Sequence, residues 1–270
     1  MQIIEAGKIS KDYWKNLWRR RELLYFLARR DLVVRYKQTF VGVGWVAIRP
    51  FLTMVVFTII FGSIAQLDSN GLPYGFIVFA GVVPWFLFAN TLTDTSNCLQ
   101  VNTGMLTKVY FPRLIFPSAI FIVAIVDCLV SCVILFGLMI WYQIVPSWQI
   151  ILFPFFILLA AVLGVGLGLI GATLNAKYRD FQQLIPFTLQ LGIYLSPVGY
   201  LNTLVSKKWE IVYAINPMAG IINGFRWCLV PESIPLYWPG IALASAICFG
   251  ALAIGITAFR AAEDSFADTI

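Results

Sequence analysis

Few side chains in this sequence can do chemistry, and their types exclude more than they offer. The 270-residue chain has no histidine, which removes imidazole-based triads, histidine metal ligands and histidine pH switches. Its five cysteines, Cys98, Cys128, Cys132, Cys228 and Cys248, form no C-x-x-C pair. Cys128 and Cys132 share a helix face but bring no further ligand, so no metal site is expected and the thiols read as small apolar fillers. Two acids stand out. Asp94 follows an apolar run and aligns with Asn90 and Asn97 on one helical face. Asp127 sits deeper, inside a second apolar run, where a carboxylate costs about 2.5–3.5 kcal/mol to insert. No matching base is visible within the apolar runs, so Asp127 reads as a structural polar contact more readily than as a proton relay. The Asn90–Asn97 face fits either the inner mouth of a pathway or a segment projecting into the cytosol. A Gly-Lys pair, Gly7-Lys8, lacks the glycine that a phosphate-binding loop needs five residues earlier, where Gln2 stands. The chain therefore needs no cofactor of its own, and any ATP and Mg must be held by a different subunit.

The elements that position these residues are membrane helices. Hydrophobic residues make up 60% of the chain and charged ones 12%, with a mean hydropathy of +0.84. A soluble domain carries about twice that charge, so a water-soluble enzyme is excluded. Six runs are long enough to cross a bilayer: about 46–66, 74–96, 116–142, 150–174, 183–201 and 238–259. The spacing predicts an all-α integral membrane protein with two parts: a cytoplasmic amphipathic interface segment, 1–45, and a six-helix transmembrane domain, 46–270. The first 45 residues hold 10 of the 19 basic side chains, which is too long and too basic for a signal peptide. Trp14, Leu17, Trp18, Leu24 and Leu27 mixed with Arg19, Arg20 and Arg21 describe a helix lying along anionic lipid. Basic residues then fall overwhelmingly on one side, leaving Lys207, Lys208 and Arg226 on the other. The positive-inside rule places both termini in the cytoplasm, and the positive charge serves the membrane surface rather than nucleic acid.

The stretch 202–237 resists this scheme. Its apolar pieces are broken by Asn216-Pro217, Gly220, Asn223-Gly224 and Pro231, and it reads as a re-entrant helical hairpin before the last span. In the fourth run Ala160, Gly164, Gly168 and Ala172 make a small-residue ridge for close helix packing, within the chain or against a second copy. Aromatic residues form 16% of the chain. Phe57, Phe61, Trp85, Phe86 and Phe88 either face lipid or line a glycan path, since ring faces stack on sugar C–H surfaces.

Several motifs in order along the chain resemble a known family. These are Arg30 through Gly42 with Trp45 and Pro50, Gly81-Val82-Val83-Pro84-Trp85-Phe86, Lys108 through Arg113, Arg179-Asp180, Ser196-Pro197-Val198 and Asn216-Pro217-Met218. The chain resembles the membrane subunit of ABC-2 type polysaccharide exporters, the Wzm-like permeases for O-antigen, teichoic acid and capsule. The resemblance implies a homodimer in the bacterial cytoplasmic (inner) membrane, bound to two copies of a separate ABC-type ATPase. It implies that the loop 104–117, with Lys108, Tyr110, Phe111, Pro112 and Arg113, sits on that ATPase as a coupling helix. Arg30, Arg35 and Tyr36 would belong to the cytoplasmic interface. The region 202–237, with Asn216, Pro217, Phe225 and Arg226, would form the periplasmic gate. A lipid-linked glycan would pass along a channel at the dimer interface, with Phe57, Phe61, Trp85, Phe86, Phe88, Asn90, Asp94 and Asn97 as candidate lining. The alternatives are an ABC-2 permease for a drug or lipid cargo, and an ion-coupled secondary carrier using Asp94 and Asp127. A membrane enzyme acting on lipid-linked sugar is disfavoured by the scarcity of clustered acids and the lack of histidine.

Overall fold

The computed structural model describes residues 13–37, 44–106, 111–178, 180–204, 209 and 213–263. Among them every regular element is helical. Two helices, α1 (Tyr13–Arg19) and α2 (Arg21–Lys37), precede α3 (Gly44–Phe57), which continues through a π-helical stretch, Thr58–Ile64. Then come α4 (Tyr74–Ser96), the short α5 (Cys98–Val101) and α6 (Thr103–Leu106), and α7 (Ile115–Trp141). A 3-10 turn leads into α8 (Phe153–Lys177), followed by α9 (Phe181–Leu195), α10 (Pro217–Leu229) and α11 (Trp238–Ala262).

Five of these are long and apolar enough to cross a membrane: Gly44–Ile64, Tyr74–Ser96, Ile115–Trp141, Trp148–Lys177 and Trp238–Ala262. They coincide with five of the six expected spans. The remaining one, 183–201, differs. Its helix α9 has 15 residues, about 22 Å at 1.5 Å per residue, short of the ~30 Å hydrocarbon core. The physical reason is Pro197: a residue before proline is pushed out of the helical region, and Ser196 stands there as an extended C-cap with ψ 152°.

Helix α4 is the axis of the bundle. Its stretch Tyr74–Ala89 is apolar on all sides, which marks a helix buried all round, and 78% of its most apolar stretch is buried. The small-residue ridge of α8 lies against it. A Cβ on Gly164 would stand 2.9 Å from the Phe88 carbonyl oxygen, and one on Gly168 would stand 2.5 Å from Thr95 Cβ. The ridge therefore serves packing inside one chain, α8 on α4, with backbones as close as hydrogen in place of a side chain permits. The opposite face of α8 meets α11 the same way, Gly166 against the Ala251–Leu252 backbone.

A second core cluster closes the end where α2 lies. Leu27 and Ala28, both nearly inaccessible, seat α2 among Leu99, Phe111, Ile115, Leu169 and Phe259. Its exposed surface mixes Tyr25, Phe26, Val33 and Val34 with Arg21, Glu22, Arg29 and Lys37, apolar and charged groups together as a helix at a membrane interface carries them. Helix α9 contrasts with all of these: none of its residues is buried, and Leu184, Phe187, Leu191 and Tyr194 are exposed.

Candidate functional site

The chemistry-bearing side chains gather in three places. The first joins α2 to the spans. Arg35, near the end of α2, donates from Nη2 to Asp94 Oδ2 at 2.8 Å and from Nη1 to Asp127 Oδ2. Tyr36 donates its hydroxyl to the other oxygen of Asp127. One guanidinium thus spans acids on α4 and α7, and Asp127, with a side chain 7% exposed, has both oxygens engaged. A planar fork of donors suits this two-acid geometry, which a lysine could not reproduce. Burial, then the Asp127 carboxylate, pushes the Tyr36 phenol above its ordinary value, keeping it a donor. Arg30, one turn earlier, donates to Asp31 Oδ1 at 2.8 Å and to Asn102 Oδ1 at 3.0 Å. All three expected interface residues therefore turn inward, fastening α2 to α4, α7 and the segment after α4. The sequence showed the acids but not their partner, because the base comes from outside the apolar runs.

The second place is where the start of α7 meets the end of α11. Of the expected coupling residues, Lys108 and Tyr110 lie outside the described residues. Phe111 and Pro112 are buried, Phe111 edge-on to Phe116 at 5.3 Å. Glu263 accepts from the Arg113 backbone N–H at 2.8 Å and from the Tyr13 hydroxyl at 3.4 Å, while the Arg113 guanidinium donates to the Glu263 carbonyl. Arg260 stands over the Tyr13 ring at 4.4 Å. Burial raises the Glu263 carboxyl above its usual range. The chain's first described helix, its α6–α7 connection and its last helix are tied at one point.

The third place is the other end of the bundle. Arg226 on α10, counted with the outer loop from its sequence position, is 1% exposed. It donates to the Ile77 carbonyl at 3.0 Å and to the carbonyls of Val198 and Tyr200 at 2.8 Å each. Carbonyl dipoles take the place of a counter-ion, and the non-helical turn after α9 is held against α4 and α10. Asn216 and Pro217 start α10 as cap and first residue: Asn216 Oδ1 accepts from the Met218 N–H at 3.0 Å and its Nδ2 donates to Ser196 Oγ at 2.9 Å. Phe225 is buried, 4.5 Å from the Phe153 ring.

The aromatic candidates divide. Phe57, Trp85 and Phe88 are buried between helices. Phe57 meets Phe61 at 5.4 Å and Tyr194 at 5.9 Å, and Trp85 meets Phe88 at 5.6 Å. Within one chain these rings pack against the rest of the bundle and α9. Phe86 is half-buried and Asn90 exposed. Asn90, Asp94 and Asn97 share a face but not a role: Asp94 holds Arg35, and Asn97 Oδ1 lies 3.3 Å from Asn175 Nδ2 on α8.

Residues 22–230 match the family described as ABC-2 type transporter. The chain is 27% identical over 258 residues to an O-antigen export system permease protein, RfbA, of Myxococcus xanthus, covering 95% of this chain and 98% of that protein. It is 23% identical to the Klebsiella pneumoniae protein of the same name, over 92% of this chain and 95% of that one. The polysialic acid transport protein KpsM of Escherichia coli is 21% identical over 87% of this chain and 92% of its own length.

Proposed function

The chain belongs to the ABC-2 type transporter family, and from that premise we propose that it is the membrane permease of an ATP-driven exporter of a lipid-linked polysaccharide. In this reading two copies form the path, a separate ABC-type ATPase hydrolyses ATP, and the cargo is an O-antigen-like glycan, as two of its relatives are named for O-antigen and a third for polysialic acid. The assembly sits in the bacterial cytoplasmic membrane with both termini inside. Helix α9 and the turn to Leu201 together make the sixth crossing, and α10 is the returning limb of a re-entrant pair that gates the outer side.

The observation that carries the reading is the Arg35 bridge. A helix of interfacial character is fastened to two spans through one guanidinium, so displacement of that helix by a cytoplasmic motor reaches α4 and α7 directly. The same bridge weighs against an ion-coupled carrier: Asp94 and Asp127, the two acids such a carrier would use, are both committed to Arg35. Phe111, Pro112 and Arg113 support a coupling role as an ordered anchor behind the loop that meets the ATPase. The unburied α9, with exposed Leu184, Phe187, Leu191 and Tyr194, supplies an apolar face for the second copy. A path at that seam suits a hydrated polymer, because weak repeated contacts to rings and neutral polar groups let it move where tight binding would stall it.

Co-purification tests the proposal. The affinity-tagged chain is expected to bring down an ATP-binding cassette protein in equal number, two of each. Isolation as a monomer with no nucleotide-binding companion under mild extraction contradicts it.

A further inference from the structure

A cleft of about 410 Å³ lies between the first described helices and the spans. It is enclosed by Leu17 of α1, Leu24 of α2, Phe121 of α7, Val165 of α8 and Ile256 of α11. Its size falls in the range of small-molecule sites, but its lining is hydrocarbon. Among the described residues the one hydroxyl on it, Ser118 Oγ, already donates to the Leu114 carbonyl at 2.8 Å. An apolar space of this kind does not hold water, so what fits it is an apolar chain.

The depth of the cleft suits one leaflet of a bilayer. On α7 its lining runs from Leu114, just before the helix starts, to Ile122. On α11 it takes Leu252 and Ile256, ten and six residues before the helix ends at Ala262. At 1.5 Å per residue the cleft reaches about 10–15 Å in from those helix ends, no more than half of the ~30 Å hydrocarbon core. The two exposed residues of its lining, Trp14 and Ile122, leave it open to lipid at the side. Charge stands on the same helix face. Arg20 N–H donates to the Asn16 carbonyl and Leu24 N–H to the Arg20 carbonyl, each at 3.2 Å, so the helical path continues from α1 into α2. Leu17 and Leu24, seven positions apart, then share a face with Arg20 and Arg21 between them. Both arginines are exposed, which long stems allow while their roots stay on the apolar face. Two guanidiniums beside a hydrocarbon cleft, with an indole at headgroup depth, match a phosphate carried on acyl chains.

We infer that the cleft binds one anionic diacyl phospholipid per chain, with an acyl chain between α1 and the surface of α7, α8 and α11 and the phosphate on Arg20 and Arg21. The lipid fills the space beside the interfacial helix and fixes that helix to three spans by a contact separate from the Arg35 bridge. The inference needs only that the chain sits in a bilayer, so it stands or falls apart from the proposed cargo and motor. The probe is phosphatidylglycerol bearing a diazirine near the end of one acyl chain, a minor component of phosphatidylcholine vesicles that carry the full-length permease. Crosslinks at Phe121 and Leu252 report the cleft, and crosslinks at Val133, exposed on α7, report lipid that merely surrounds the spans. The ratio of the first to the second is expected to be about tenfold higher for this probe than for phosphatidylcholine with the same diazirine. Ser118→Trp fills the cleft and brings the ratio down to the phosphatidylcholine level. Arg20→Gln combined with Arg21→Gln, at two exposed positions, removes the phosphate contact and does the same. An equimolar polyprenyl phosphate leaves the ratio unchanged. Equal ratios for the two lipids, or a ratio that either variant leaves unchanged, overturn the inference. Displacement of the probe by the polyprenyl phosphate also overturns it, by assigning the cleft to the anchor of a lipid-linked cargo.

Discussion

Removing Arg226 is the sharpest test of how the end of the bundle remote from Glu263 is held. Arg226→Met keeps much of the side-chain stem and deletes the guanidinium. The Ile77 carbonyl lies within α4 and keeps its place in the helical ladder. The carbonyls of Val198 and Tyr200 lie in the non-helical turn and lose donors at 2.8 Å. Two orphaned buried carbonyls cost about 1–3 kcal/mol each. Methionine also relieves the desolvation of a buried charge, which offsets part of the loss and leaves about 2–4 kcal/mol. At about 2–4 °C per kcal/mol for a chain of this size, the unfolding midpoint falls by about 4–16 °C. The assay is tryptophan-monitored thermal unfolding in lipid nanodiscs, paired with maleimide labelling of Leu201→Cys. The native thiols are all buried and Leu201 is 3% exposed, so labelling reports release of the turn. Arg226→Lys keeps the charge without the fixed fork and falls between the two. An unchanged midpoint with Leu201→Cys still protected in Arg226→Met refutes the carbonyl cage as the clamp.

Other perturbations probe the remaining joints. Asp127→Asn removes one of the two carboxylates that hold Arg35, so assembly and export both fall several-fold with no dependence on a proton gradient; normal assembly with export lost only when the gradient collapses favours the carrier reading. Gly164→Leu forces a side chain onto the Phe88 carbonyl and costs about 1–3 kcal/mol or more by overpacking, measured as a lower unfolding midpoint, while Gly104→Ala, with open space around it, changes nothing. Glu263 carries a carboxyl raised by burial, so the folded state holds its proton more tightly than the unfolded one. Its stabilising contribution is therefore present at low pH and lost as pH rises through the folded value. Glu263→Gln removes that loss, and the fall in midpoint as pH rises above the ordinary carboxylate range becomes shallower than in wild type.

Hydropathy made most of the fold legible. A run of twenty apolar residues has few alternatives to a spanning helix, and five of the six runs form one. The sixth shows what a window average misses: Ser196-Pro197 stops α9 after 15 residues, and the apolar residues beyond it form the turn that Arg226 grips. The polar residues were legible as anomalies and not as partners. Asp127 was conspicuous because a carboxylate in an apolar run needs a reason, but Arg35 lies 92 positions away, and no local pattern ties a surface helix to that acid. Arg226 was legible as a charge but not as a clamp: charge counting does not show that a guanidinium is buried among backbone carbonyls. The aromatic candidates show the limit of composition, since ring density said nothing of which rings face each other and which face a path.

The central claim is that this polypeptide is a conduit whose motor is a different molecule. Reconstitution into sealed vesicles tests it most directly, with lipid-linked glycan on the outer face and inward movement followed by protection from a glycosidase. Vesicles carrying the permease with its ATPase are expected to sequester glycan only when ATP and Mg are supplied on the ATPase side, and vesicles carrying the permease alone to sequester none. Accumulation of glycan against its gradient by the permease alone contradicts the account.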